Sequence, residues 1–498
     1  MNELRASGIL MHISSLPNGF LIGTLGKSAY EFADFLKKAG QSYWQILPIS
    51  PTSYGDSPYQ SFSIYAGNPY FIDAQLLEKD GLLRKSEYAP LNSKGDGEDV
   101  DFELLYKTVF KVFRKAYRRF TPEDDYKEFE EKNTWLDEYA LFMALKDAHN
   151  GKAWEKWEKP LRAFDKAAIK DAEEKYRDDI GFYKFLQYEF YRQWGKLKEY
   201  VNSLGIKMIG DIPIYVAYDS ADVWVHPEYF QLDENKVPTD VAGCPPDVFA
   251  AKGQLWGNPL YRWDIMKKEN YKWWTDRIKA ASEIYDVVRI DHFRGFESYY
   301  AIPYGREDAV IGEWRKGPGT ELFREVKKQL GKTEIIAEDL GFLTPKVKRM
   351  LKASGYPGMK VLEFMYDENY GSDYLPHNFK NTNSVCYTGT HDNETLVGWV
   401  NSLSRKEARF FREYLNVSRN KDIAWAMIRL AWSSVSDTAI AQMQDFLELG
   451  SNARMNIPST LGGNWQWRAK SGVFTDELAQ RILNITKMYN RLGDKQED

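Results

Sequence analysis

Residues 286–292 read D-V-V-R-I-D-H: a β-branched run that ends on Asp291 and His292. Runs of this kind recur, and several close on an acid. Met208-Ile-Gly-Asp211 is one, Ile335-Ile-Ala-Glu338-Asp339 another, and the run over 384–388 leads into Thr388-Gly-Thr-His391-Asp392-Asn393. Counted along the chain, eight segments have strand character: 8–13, 43–49, 207–210, 287–290, 334–337, 360–364, 384–388 and 438–442. Helical patterns separate most of them, over 28–39, 183–204, 321–330, 345–353 and 394–403. Strand, helix, strand repeated in this way predicts βαβ units and a parallel sheet. Eight such strands predict an α/β fold of the closed (β/α)8 TIM-barrel type. The rival is an open doubly wound sheet. Its cofactor-binding forms carry G-x-G-x-x-G after the first strand, and that turn is missing here.

A barrel takes about 250 residues, so roughly half of the 498 residues must be insertions on one catalytic unit spanning 1–498. The first insertion is expected at 89–179. Helical spacing over 102–120, 135–150 and 161–176 makes it a helical subdomain. Phe110, Phe113, Tyr117 and Phe120 recur at three- and four-residue steps, which a solvated charged linker would not show. The second, at 213–285, is rich in Pro, Gly, Asp and Trp. It is expected to be loop-rich and to lie over the cleft, since loops that follow barrel strands form the active-site face.

Composition narrows the function. Hydrophobic residues make 43% and charged residues 28% of the chain, as in an ordinary globular protein. The net charge of −5 argues against nucleic acid or an anionic membrane as partner. Aromatic residues reach 15%, with 16 Trp, 32 Tyr and 27 Phe. Rings in that number suit stacking on sugars or an aromatic core, and composition leaves both open. Cys244 and Cys386 form no disulfide framework and read as small buried apolar residues. The N-terminal segment lacks a cleavable-leader pattern, and no apolar stretch approaches the ~18 residues of a membrane span. The expected location is the cytoplasm.

A carboxylate at the carboxyl end of a parallel strand faces the barrel mouth. Any single one of Asp211, Asp291, Glu338 and Asp392 could instead cap a helix. Four in strand order repel one another unless the site uses the charge. Two carboxyls flanking a bond serve glycosyl transfer, one as nucleophile or base and one as proton donor. A third can orient sugar hydroxyls and favour a cationic transition state. Arg289 lies two residues before Asp291, so both side chains share one side of the strand, and its guanidinium would keep Asp291 ionised. His391, beside Asp392, can donate to a sugar hydroxyl. For His391 and His292 the alternative is a satisfied core histidine.

The segments R-I-D-H-F-R-G-F (289–296), I-I-A-E-D-L-G (335–341) and Y-T-G-T-H-D-N (387–393) resemble signature regions of the α-amylase clan. More narrowly, the chain resembles the 4-α-glucanotransferases, also called amylomaltases or disproportionating enzymes, of glycoside hydrolase family seventy-seven. Further matches are S-G-I-L-M-H-I-S-S-L-P near the N-terminus, Y-G-D-S-P-Y-Q-S-F-S at 54–63 and A-G-C-P-P-D-V-F at 242–249. G-Q-L-W-G-N-P-L-Y at 253–261, P-G-M-K-V-L at 357–362 and A-R-M-N-I-P-S-T-L-G-G-N-W at 453–465 complete them. The resemblance covers nearly the whole chain; over 89–179 it holds in position and character only.

The resemblance implies Asp291 as nucleophile, Glu338 as general acid/base and Asp392 as transition-state stabiliser. Arg289 and His391 would contact the sugar next to the cut bond, with Tyr59 bordering that subsite and Asn464 a polar contact in it. Asp211 and His292 join them as substrate-binding candidates. Asp247, Phe249, Gln254 and Trp256 match a flexible loop arching over the cleft; for Phe249 and Trp256 the alternative is core packing. The substrates implied are α-1,4-glucans and glucose, with no cofactor. Retention through a covalent intermediate would set the carboxyls of Asp291 and Glu338 about 5–5.5 Å apart. One departure from the wider clan concerns metal. The third strand continues Asp211-Ile-Pro-Ile-Tyr215-Val216, where most α-amylases have a calcium-binding Asn. Neither Tyr nor Val offers a suitable side-chain oxygen, so no metal is expected. With little chain after the eighth strand, the C-terminal β-domain of amylases is not expected. Two rival functions stay open: a retaining hydrolase of the same clan, and a non-catalytic glucan-binding protein, for which loss of a carboxylate would be expected.

Overall fold

In the computed structural model, which describes residues 5–52, 55–93, 99–246, 250–341 and 343–493, eight short parallel strands wrap into a barrel. They are β1 (Ala6–Leu10), β2 (Tyr43–Gln45), β3 (Lys207–Ile212), β4 (Val287–Ile290), β5 (Ile335–Ala337), β6 (Gly358–Val361), β7 (Ser384–Tyr387) and β8 (Thr438–Gln442). The hydrogen-bonded order is β6-β7-β8-β1-β2-β3-β4-β5. The circle closes where Ala337 N–H donates to Pro357 O, 2.9 Å away, just before β6. All eight strands fall within the segments read from the sequence, give or take a few residues at the ends. They are buried because helices cover the outside, for example Lys27–Lys38 after β1, Thr320–Leu330 after β4 and Pro345–Ser354 after β5.

Register decides what the barrel mouth looks like. β3 and β4 pair Asp211 with Arg289 and Ile212 with Ile290. One residue further, Asp291 N–H donates to Ile212 O and Glu338 N–H to Ile290 O, both at 3.0 Å. The acids at the ends of β4 and β5 therefore leave adjacent strands at the same height.

Between β2 and β3 the chain builds helices Phe102–Tyr117, Asp124–Lys132, Trp135–Ala148 and Lys166–Lys175 before the 27-residue helix Arg177–Ser203. Their aromatic faces pack on that long helix: Tyr117 on Phe182 at 5.8 Å between centroids, Phe120 on Phe185 at 4.8 Å. The helix expected over 161–176 is two pieces. Lys159–Arg162 ends, Phe164 adopts φ 57°, and the Asp165 carboxylate starts a new helix by accepting from Ala167 and Ala168 N–H. An Asp that offers its own cap competes with continuing the old helix.

The segment 213–285 is more ordered than its composition suggests. Strands Asp240–Cys244 and Gln254–Pro259 pair antiparallel with each other, and the first pairs with Ser298–Pro303. Glu313–Lys316 completes a four-stranded sheet. Half of that sheet lies beyond β4, outside the bounds read from the sequence, because antiparallel partners distant in the chain leave no local signal. The 13-residue helix Lys272–Ile284 belongs to the barrel wall. Among the described residues no strand follows β8. Many of the rings fill the core: Trp44, Trp154, Trp224, Trp274 and Trp432 are fully buried.

Gly8 in β1 faces β2 so closely that an added Cβ would lie 2.6 Å from Tyr43 Cβ and 2.8 Å from its carbonyl oxygen. The obstacle is a neighbouring strand, which cannot turn aside. Gly8→Ala is expected to lose about 2 kcal/mol or more of stability, read as a lowered denaturation midpoint; an unchanged midpoint would show that the strands can separate.

Candidate active site

The carboxyl ends of the strands gather the candidate residues. Arg289 is 3% exposed and sits between two acids: its Nη1 is 2.5 Å from Asp211 Oδ2 and 3.1 Å from Asp291 Oδ1. Asp211 also accepts from the Tyr59 hydroxyl at 2.8 Å. Tyr59 lies on His391 in a stacked pair, centroids 5.0 Å apart, with its hydroxyl 3.4 Å from His391 Nδ1. His391 Nε2 reaches Asp392 Oδ1 at 3.4 Å. Thus Asp211, Arg289, Asp291, Tyr59, His391 and Asp392 form one connected set.

Glu338 faces them from β5. It is 8% exposed, and its two oxygens accept from backbone donors, Oε2 from His292 N–H at 2.7 Å and Oε1 from Leu340 N–H at 2.6 Å. His292 itself holds φ 49°, a left-handed conformation that costs a histidine energy. The His292 ring meets Trp256 edge to face, centroids 4.8 Å apart, and Trp256 donates through Nε1 to Gln254.

Burial dominates the electrostatics. It pushes both Asp291 and Glu338 above the usual carboxylate range; their mutual repulsion adds to this at Asp291, and Arg289 opposes it in both. Direct contact with Arg289 and a side chain still 30% exposed both favour the charged form of Asp291. Burial holds His292 neutral, lowered to about 3, and lowers His391 as well.

Not every expected residue joins the centre. Asn464 turns inward on its own loop, accepting from Ile457 N–H at 3.0 Å and donating to Thr460 Oγ1 at 3.0 Å. Asp247 and Phe249 lie outside the described residues; Gln254 and Trp256 mark the strand into which their loop returns. Residues that sequence reading did not single out also belong. Gln60 donates to Asn258 Oδ1 at 3.1 Å and to the Trp256 carbonyl oxygen at 3.4 Å. Trp465 lies 5.9 Å from both Tyr59 and His391. Arg454 and Asn456 bond to Asp392. The motifs Y-G-D-S-P-Y-Q and A-R-M-N-I-P contain Gln60, Arg454 and Asn456, but no local pattern distinguishes their side chains.

Beneath Asp392 lies a second group of acids. Asn393 donates to Glu363 at 3.2 Å, and Asp445 accepts from Thr388 Oγ1 at 2.7 Å and Leu396 N–H at 2.8 Å. Burial pushes Asp445 up to about 7 and raises Glu363.

The family model described as 4-alpha-glucanotransferase matches residues 11–474. The chain is 50% identical to the 4-alpha-glucanotransferase of Clostridium butyricum, over 97% of this chain and all of that one. It is 44% identical to that of Thermus thermophilus, over 98% and 99% respectively. The amylomaltase of Streptococcus agalactiae, solved in complex with acarbose, superposes with a TM-score of 0.96 at 42% identity, covering 98% of this chain and 100% of that one.

The raised value at Asp445 carries a stability consequence. A carboxyl whose folded value exceeds its unfolded one supports the fold below about pH 4 and loses that support as pH rises through about 7. The loss is on the order of 4 kcal/mol. Melting temperature measured from pH 4 to 8 should therefore fall less steeply in Asp445→Asn than in the parent, and parallel curves would show that Asp445 ionises normally.

Proposed function

The chain belongs to the 4-α-glucanotransferase family, and from that premise we propose how its own residues carry the reaction. The enzyme transfers a segment of one α-1,4-glucan to another glucan or to glucose. In our reading Asp291 is the nucleophile, Glu338 the acid and then the base, and Asp392 the carboxylate that favours the cationic transition state. The observation that carries this assignment is the unequal treatment of two neighbouring strand-end acids. Asp291 touches the buried Arg289, whereas Glu338 touches no cation among the contacts described, only backbone N–H groups.

The steps balance. An Asp291 oxygen attacks the anomeric carbon as the glycosidic C–O bond breaks, and the departing oxygen takes the proton of Glu338. The released chain leaves a glycosyl ester on Asp291. Glu338, now ionised, accepts the proton of an incoming 4-hydroxyl. That oxygen attacks the anomeric carbon, the ester bond breaks, and both acids return to their first state. Two inversions give net retention. Asp211, Arg289, Tyr59 and His391 would line the donor sugar, and the edge-on Trp256–His292 pair would flank the leaving side.

Transfer wins over hydrolysis when a sugar, rather than water, occupies the acceptor position. We assign that choice to the loop between Gly243 and Trp256, with Asp247 and Phe249 in its span. Support comes from its anchoring: Cys244 pairs with Gln254 and Gly243 with Leu255, and Trp256 leads from that pairing to His292 beside Glu338. The amylomaltase of Streptococcus agalactiae holds acarbose, which supports α-glucans as ligands of this chain. Among the described residues no helix is long and apolar enough to cross a membrane. We place the action in the cytoplasm, where a chain with two cysteines among 498 residues needs no disulfides.

Maltotriose incubated with the enzyme is expected to yield glucose together with glucans longer than the substrate; glucose and maltose alone would mean hydrolysis. Glu338→Gln is expected to abolish that exchange while still forming the first intermediate from a donor whose leaving group needs no proton. Near-parental turnover of maltotriose by Glu338→Gln would overturn the acid assignment.

A further inference from the structure

The segment 453–458, A-R-M-N-I-P, returns to the barrel mouth after β8 and closes on Asp392. Arg454 Nη2 donates to the Asp392 carbonyl oxygen at 2.7 Å, and its Nε donates to the Asn456 carbonyl oxygen at 2.8 Å. Asn456 Nδ2 in turn donates to Asp392 Oδ1 at 2.6 Å. Main chain and side chain of one acid are thus held by two residues that lie more than sixty positions away in sequence.

Asp392 needs such a hold. Its side chain is 46% exposed, in contrast to the buried Glu338. Packing therefore does not select its rotamer, and hydrogen bonds must. The donor matters as much as the bond. An amide fixes a carboxylate without bringing a positive charge, so the full negative charge stays available to a cationic transition state. Arg454, the nearby cation, spends its donors elsewhere: on two backbone carbonyls and, at 3.6 Å, on Glu394. The mount is itself braced. Trp465 N–H donates to Met455 O at 2.6 Å, Asn464 accepts from Ile457 N–H, and the Trp465 ring lies beside Tyr59 and His391.

We infer that Asn456 is a positioning residue for Asp392, orienting its carboxylate for the transition state, with Arg454 fixing where Asn456 stands. This rests on the role given above to Asp392. The other titratable groups facing Asp392 are His391, on the same Oδ1 at 3.4 Å, and Asp291 and Tyr59, which feel its charge across the donor site. Asn456 and His391 both act on Oδ1.

The test compares Asn456→Ala, Asn456→Asp and Asp392→Asn with the parent, in kcat and KM on maltotriose from pH 5 to 8. Asn456→Ala should lower kcat about tenfold or more with KM within about twofold, because orientation is lost and binding is kept. Asn456→Asp keeps the shape but sets two carboxyls together, which then share one proton. It should be poorly active at pH 8 and recover toward the parent as pH falls to 5, since the shared proton restores both the donor and the net charge. Asn456→Ala should show no such recovery. Asp392→Asn should be inactive throughout. If Asp392→Asn keeps parental turnover, the role of Asp392 fails and the inference fails with it. If Asp392→Asn is inactive but the Asn456→Asp profile runs parallel to the parent's, the positioning alone is overturned. Should Asn456→Ala not fold, the isosteric Asn456→Asp decides by its pH profile.

Discussion

One guanidinium organises the mouth of this barrel. Arg289 is buried with Asp211 on one side and Asp291 on the other. Removing the arginine would leave the buried Asp211 without its countercharge, which costs several kcal/mol, whereas either acid alone still pairs the guanidinium. The register that sets Asp211 beside Arg289 across β3 and β4 is therefore tied to the charges, and Asp291 follows two residues along the same face. Tyr59 joins through Asp211, His391 through Tyr59, and Asp392 through His391. This half of the site is one connected chain of polar contacts that begins at a cross-strand ion pair.

The surroundings of Glu338 are built differently. Glu338 is held by backbone N–H groups, one of them delivered by a left-handed His292. Backbone donors do not titrate, so the acid keeps its position in both protonation states. Burial raises both carboxyls, and direct contact with Arg289 opposes that rise at Asp291. Two similar residues at the ends of adjacent strands thereby receive different chemistry from different surroundings.

Aromatic abundance also divides in two. Many rings build the core and the helical insert, such as Phe120 against Phe185 and the five fully buried tryptophans. A few stand at the mouth: Tyr59 bonds to Asp211, Trp256 meets His292 and Trp465 lies beside His391. Composition alone left stacking on sugars and core packing equally open, and the protein uses its rings for core packing while setting a few at the site.

The barrel was legible in the chain. Its strands are buried on both faces, so each reads as a short apolar run, and each helix between them carries its own period. The acids that close or follow the strands, Asp211, Asp291, Glu338 and Asp392, and with them Arg289, are legible too, because strand ends are local and their acids stand out against apolar neighbours. The four-stranded antiparallel sheet was not legible, since Asp240–Cys244 and Ser298–Pro303 meet only by long-range pairing. Nor was the break at Phe164, or the inward turn of Asn464. Arg454 and Asn456 lay in a motif that could be read but not interpreted: an amide that serves Asp392 looks, in sequence, like any amide in a loop. Which residues carry charge was written locally; which oxygen each donor reaches was decided by how distant segments close over the barrel, because a hydrogen bond is fixed by distance and angle, and only the folded chain sets those.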